Sequence, residues 1–233
     1  MMKLFFGFLI GLAIAGLIAM TAFKVAWGDL DEIDDRERGD DKTSSVAVAD
    51  FDRISVAGVF ELEVGVGGEY ALTLSGKEED LQRTTARVVD GVLILDTAER
   101  DRDGKRRLVK HGVTAKVALP ALNGVDIAGV VDGDIRGVDA ESFSADLSGV
   151  GDVNISGTCG SLTANVSGVG DLDAGDLKCR SVDVDVSGIG SASIYASESV
   201  DAQIAGIGKI NVSGSPAQVS KSQSSPLGRI SVK

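Results

Sequence analysis

One glycine recurs at nearly constant spacing through the C-terminal half of the chain: Gly129 in DIAGVVD, Gly149 in DLSGVGD, Gly168 in NVSGVGD, Gly188 in DVSGIGS and Gly206 in QIAGIGK, in steps of 20, 19, 20 and 18 residues. A sixth, degenerate copy, SPLGRIS, puts Pro226 in the glycine's place. Around these anchors the apolar residues hold constant offsets. Ile127, Leu147, Val166, Val186 and Ile204 lie two before, and Phe143, Leu162, Val182 and Val200 lie six before the last four. Such columns are what stacked, in-register parallel strands require, because each rung buries its inward side chains on its neighbours. Hydrophobicity alternates with period two and β-branched residues dominate, so helices are excluded here. The expected fold is all-β: a single-stranded parallel β-helix, or β-solenoid, of about 20-residue rungs. It is expected to be right-handed, by the chirality of parallel β connections.

The Gly-x-Gly pairs inside these repeats do not make a nucleotide site. A dinucleotide fingerprint needs a third glycine and a following helix, and neither is present. Gly129, Gly149, Gly168, Gly188 and Gly206 read instead as rung corners, where glycine is expected to supply positive φ. Two polar ladders flank the corner. One comprises Asp126, Asp146, Asn165 and Asp185, ending at Gln203. The other comprises Asp132, Asp152 and Asp171, continuing into Ser191 and Lys209, with a companion column two residues on at Asp134, Asn154, Asp173, Ser193 and Asn211. Carboxylates stacked about 4.8 Å apart repel, which invites calcium or proton sharing. The interspersed Asn and Ser also allow amide and hydroxyl ladders that need no metal. Cys159 and Cys179 each stand nine residues before the next rung's glycine, so they occupy one position on adjacent rungs and are candidates for a disulfide.

Upstream, Leu4–Phe23 is a twenty-residue run without a charge, long enough to cross a bilayer as a helix. It reads as an uncleaved anchor, or as an export signal cut near Ala26–Gly28. Gly7, Gly11 and Ala15 form a small-residue stripe on it. Residues 1–27 are thus anchor or signal, 28–45 an acidic linker, and 46–233 the folded domain. VFELEVGVGGEYALTLSG alternates around Gly65–Gly68 and predicts a hairpin, as does ARVVDGVLILD around Asp90-Gly91. Glu99–Gly112 is too charged for core and predicts an exposed loop, whose Lys105, Arg106, Arg107 and Lys110 could meet an anion.

A net charge of −12 argues against nucleic acid, and a single histidine, His111, against His-based triads or multi-His metal sites. Parallel β-helices that act on polysaccharides use carboxylates and a base in a groove, but the repeats offer only Tyr195 and Phe143 as aromatic platforms, and Phe143 stands in a core column.

The block from Asp50 resembles the bacterial auto-transporter adhesin head family, the GIN domain. The resemblance rests on Phe51, Asp52 and Ile54, then Asp90, Gly91, Leu93 and Ile94, then Pro120 and Leu122 before the glycine rungs. It implies an extracytoplasmic β-helical domain over residues 46–233 and carries over no catalytic residue. The resulting expectation is an exported cell-envelope protein without a cofactor, tethered to the membrane if the N-terminal helix is uncleaved. It would bind a protein or glycan and not nucleic acid. A polysaccharide-acting enzyme and a calcium-stabilised repeat are the alternatives.

Overall fold

A computed structural model describes residues 41–97, 99–100, 106–107 and 111–233, the side chains of 99–100 and 106–107 excepted. The apolar run, the cleavage site and residues 28–40 of the acidic linker lie outside the described residues, as do Lys105 and Lys110. Among the described residues no helix is long and apolar enough to cross a membrane.

The elements are β1 (Lys42–Val46), β2 (Arg53–Ala57), β3 (Val59–Val66), β4 (Ala71–Gly76), α1 (Glu78–Leu81), β5 (Thr85–Val89), β6 (Val92–Asp96), β7 (Glu99–Arg100), β8 (Arg106–Arg107), β9 (Val113–Leu119), β10 (Gly124–Ile127), β11 (Val130–Leu147), β12 (Val153–Val166), β13 (Val169–Val186), β14 (Ile189–Ile204), β15 (Ile207–Ser213), β16 (Gln218–Gln223) and β17 (Gly228–Val232). All but β7 and β8 belong to one sheet wound into a solenoid of about five turns. The long strands β11 to β14 stack in parallel register and bend within themselves. On β11 the register shifts between Ile135 and Val138, where Gly137 takes a φ of 81°.

Each repeat contributes three sides. The first follows the corner glycine, the second carries Val138–Ala140 and its counterparts, and the third runs back to the next corner. Inward residues form continuous columns. Leu95, Val56, Ile127, Leu147, Val166, Val186 and Ile204 make one, each paired with the next in the stack. All seven are buried. Cys159 and Cys179 form a disulfide with a Cα separation of 4.5 Å. It lies inside the second-side column Ala140, Cys159, Cys179, Ala196, so it crosslinks rungs within the core.

The glycine corners have a different cause from the one expected. Gly129, Gly149, Gly168, Gly188 and Gly206 are not the residues with left-handed φ; that falls to the second glycine of the pair, as at Gly151 (134°) and Gly170 (151°). The anchors are glycine because the rungs stack too closely for a side chain. A Cβ at Gly168 would collide with the carbonyl oxygen of Gly149, and one at Gly149 with that of Gly129. The same oxygens accept the N–H of the residue after the glycine: Val150 N donates to Gly129 O at 2.8 Å and Val169 N to Gly149 O at 2.9 Å.

The N-terminal strands are further rungs of the same solenoid. β2 and β3 turn at Gly58 and stack on β10 and β11, and β6 and β9 form the next layer outward. This corrects one expected hairpin. β3 and β4 are not partners, because β9 lies between them, parallel to β3 and antiparallel to β4. Alternation in β3 and β4 suits either neighbour, so the pattern could not tell an adjacent strand from one two layers away. The second hairpin does form, β5 against β6, with Asp90 at φ 49° and Gly91 at 76° giving the left-handed pair that a two-residue turn needs. β4 and β5 run antiparallel to the stack and close its N-terminal end, with β1 outside β4. Among the described residues strand pairing therefore begins at Lys42, inside the segment read as linker. β1 is an exposed edge with no apolar alternation to announce it. The charged loop contains a small antiparallel pair, β7 with β8. At the other end β16 is exposed throughout and sets Lys221 and Gln223 over Ala202 and Ile204, a polar lid on the core edge.

Two stability outcomes follow. Gly168→Ala should cost about 3 kcal/mol or more, since the clash is with backbone, whereas Gly65→Ala, with nothing within 4 Å, should be near neutral; denaturant titration separates them. Replacing both Cys159 and Cys179 with Ser should remove about 3 kcal/mol, the chain-entropy value for a loop of this length; denaturant titration that finds no change would show that the bond does not constrain the unfolded chain.

Candidate functional site

The corner and its two flanks carry the chemistry-bearing residues. On the third side Asp126, Asp146, Asn165, Asp185 and Gln203 fall in one column, beginning at Ser55. Asn165 donates from Nδ2 to Asp146 Oδ1 at 2.6 Å, so the amide interleaved among the acids satisfies one of its two neighbours. Asp126 has its carboxyl pKa raised, first by burial and then by the neighbouring Asp146 charge, against a Ser55 hydrogen bond that lowers it.

On the first side the second ladder is longer than the repeats suggested. Thr114, Glu61, Asp132, Asp152, Asp171, Ser191, Lys209 and Arg229 follow one another in the stack, acidic toward the N-terminal end and basic toward the C-terminal end. Its carboxylates serve the scaffold: Asp152 Oδ1 accepts from Asp171 N at 3.0 Å and Asp171 Oδ1 from Ser191 N at 2.7 Å. Beside it runs Lys116, Glu63, Asp134, Asn154, Asp173, Ser193, Asn211 and Ser231. Its charges are paired at the N-terminal end, Lys116 Nζ with Glu63 Oε2 at 2.8 Å and Arg136 with Asp134. That pairing holds the Arg136 guanidinium pKa above its ordinary value, through the hydrogen bond first and the charge second. These residues line an open groove of about 540 Å³. The acids stand side by side on a sheet rather than facing one another across a cleft.

Between the two ladders lies a feature that the reading of the repeats passed over. The residue after each corner glycine points outward and is aliphatic: Val130, Val150, Val169, Ile189, Ile207 and, after Pro226, Leu227. Each is 46–64 % exposed, and among the described residues the other exposed large aliphatic side chains are Val89 and Val219. They stack in register, and all but Leu227 line a shallow groove of about 750 Å³ along the corner, beside Ser148, Ser167 and Ser187. The signal was present in the sequence: an apolar column at an outward phase of the alternation.

Other expected features lie apart from this surface. Phe143 is core, and Tyr195 carries Lys178 over its ring, with Nζ at 4.4 Å from the centroid. His111 makes its contact with the buried Asp80, Nδ1 to Oδ2 at 3.2 Å. Among the described residues Glu79, Asp80 and His111 are the acid and histidine group whose ligand atoms lie within 4.8 Å of one another; the ladders form no such group.

A capped parallel β-solenoid built of stacked rungs, each resting on its neighbours, belongs to the class of repeat proteins. The chain is a member of the family described as "Putative auto-transporter adhesin, head GIN domain", whose model matches residues 50–216. A crystal structure described as a putative adhesin from Bacteroides fragilis is similar, at 27% identity and a TM-score of 0.67, covering 83% of this chain and 97% of that one. Another putative adhesin, from Parabacteroides distasonis, shares the fold at 16% identity and a TM-score of 0.51, over 84% of this chain and 98% of that one. A comparison with functionally curated proteins finds no match.

The raised Asp126 pKa has a definite sign. The folded state favours the protonated acid, so stability falls as pH rises through the ordinary carboxylate range toward the raised value. Asp126→Asn should therefore raise the melting temperature at neutral pH and leave it unchanged where the acid is already protonated; a lowered melting temperature at neutral pH would contradict this assignment.

Proposed function

We propose that this chain is an exported, non-catalytic binding module of the bacterial envelope that engages a macromolecular partner through the ridged corner. The observation that carries the reading is the ridge itself, six exposed aliphatic residues in one line, rimmed on both sides by polar ladders. An exposed apolar strip rimmed by polar groups is the pattern of a protein-interaction surface. Aliphatic side chains without aromatic neighbours suit a protein partner better than a sugar, which stacks on rings. The ladder acids support the same reading, because Asp152, Asp171 and Asp146 spend carboxylate oxygens on bonds between rungs. The similar solved structures carry the word adhesin in their descriptions, and the buried disulfide fits an oxidising compartment.

The test is adherence of the purified full chain to bacterial surfaces and isolated envelope proteins, set against Val150→Lys/Val169→Lys, which keeps both residues at exposed positions. Adherence should fall at least tenfold with an unchanged melting curve. Unsaturated or newly reducing sugar ends released from envelope polysaccharides by the wild-type chain would replace this reading with the enzymatic one.

A further inference from the structure

The ridge and its acidic-to-basic ladder have a shape that selects one kind of partner. From Val59 through Val130, Val150, Val169, Ile189 and Ile207 to Leu227, each rung adds one apolar residue after its corner, so the line is about 29 Å long at the parallel-strand repeat. A partner that fills such a line continuously must present side chains at the same period. A second copy of this chain does so by construction.

Charge decides the orientation. In the ladder beside the ridge, Glu61 and Asp132 stand at one end and Lys209 and Arg229 at the other. Neither Lys209 nor Arg229 has an ion-pair partner among the described residues, and neither do Glu61 and Asp132. When two copies meet ridge to ridge about a twofold axis across the ridge at Val169, the same ladder faces itself reversed. Glu61 then lies opposite Arg229 and Asp132 opposite Lys209, each pair occurring twice, while Asp152 meets Ser191. Asp171 meets its own copy at the centre, and each Asp171 Oδ1 is held by Ser191 N. On the other flank Asn165 meets itself, Asp126 meets Gln203, and Asp146 faces Asp185 at the wet rim. The parallel alternative would set Asp126 against Asp132 and Asp146 against Asp152, and would leave Lys209 opposite Gln203, with no acid for either cation.

We propose that the ridged corner is a self-association surface on which two copies of this chain pair antiparallel about the Val169 rung. The proposal rests on reading that corner as the binding face and names its partner. Val150 lies opposite Ile189, Val130 opposite Ile207 and Val59 opposite Leu227, so the aliphatic side chains abut in pairs along a dry seam. With a patch roughly 30 Å by 20 Å the contact lies near the low end of specific interfaces, and a Kd in the micromolar range is expected. An anionic lipid surface is a poor occupant, because it would meet the acids of both ladders.

The experiment uses the full chain in mild nonionic detergent, a short bis-maleimide crosslinker and single cysteine replacements on the ridge, the native pair being held as a disulfide. Val169→Cys should crosslink to itself. Val130→Cys should not, since its two copies would lie about 19 Å apart, yet it should crosslink when mixed with Ile207→Cys. Light scattering should give a concentration-dependent dimer that Ile189→Lys makes monomeric without altering the melting curve. Lys209→Glu/Arg229→Glu should weaken it at least tenfold, and mixing that variant with Glu61→Lys/Asp132→Lys should restore it. Equal self-crosslinking at Val130 and Val169, or a dimer indifferent to Ile189→Lys, would overturn the proposal. A monomeric full chain that still adheres to a partner, and loses adherence with Val150→Lys/Val169→Lys, would sink self-association while leaving the binding face intact.

Discussion

One contact governs the rest of the structure: the carbonyl oxygen at each corner lies where the next rung's glycine would otherwise carry its Cβ. That oxygen also accepts the N–H of the following residue, as Gly149 O does from Val169 N at 2.9 Å and Gly168 O from Ile189 N at 3.0 Å. The corner is therefore as tight as backbone allows, and the rungs cannot drift in register. Once they are locked, every residue at a given offset is stacked on its equivalents. The apolar columns close the core, Cys159 meets Cys179, and the acids line up whether or not charge favours it. The ridge is a product of the same contact, because the residue whose N–H is fixed at the corner must turn its side chain outward.

The ends obey a different constraint. A parallel stack of in-register strands exposes an open edge at each terminus and would grow by adding copies. Here β4 and β5 cross the N-terminal end antiparallel, and β16 places Lys221 and Gln223 where the columns would continue. The in-register parallel columns are interrupted at the N-terminal end, and a polar strand covers part of the C-terminal one. Among the sides of the solenoid the ridged corner is the apolar one.

Much of this was legible in the chain. The offsets of Ile127, Leu147, Val166, Val186 and Ile204 gave a column that the structure buries whole, and the equal distance of Cys159 and Cys179 from their corners located a pair that is bonded. The polar ladders fall where the spacing put them. Besides the ridge and the first strand, three things were misread or missed. The corner glycines answer to a neighbour's oxygen and not to φ, which no single repeat reveals. β9 separates β3 from β4, although their alternation and the glycines between them describe an ordinary hairpin. The second ladder gains Glu61 at one end and Arg229 at the other because strands far apart in sequence join the stack.

The sequence by itself determined the period, the phase of each inward column and the disulfide, because all three are local: they depend on equal spacing within consecutive repeats. Tertiary structure alone decided which strands lie beside which at the N-terminal end, since a run with one buried face accepts any neighbour of matching alternation. It also decided that the line of acids gains Glu61 at one end and Arg229 at the other, for those strands become neighbours only when the chain is wound and every rung rests on the carbonyl of the one before.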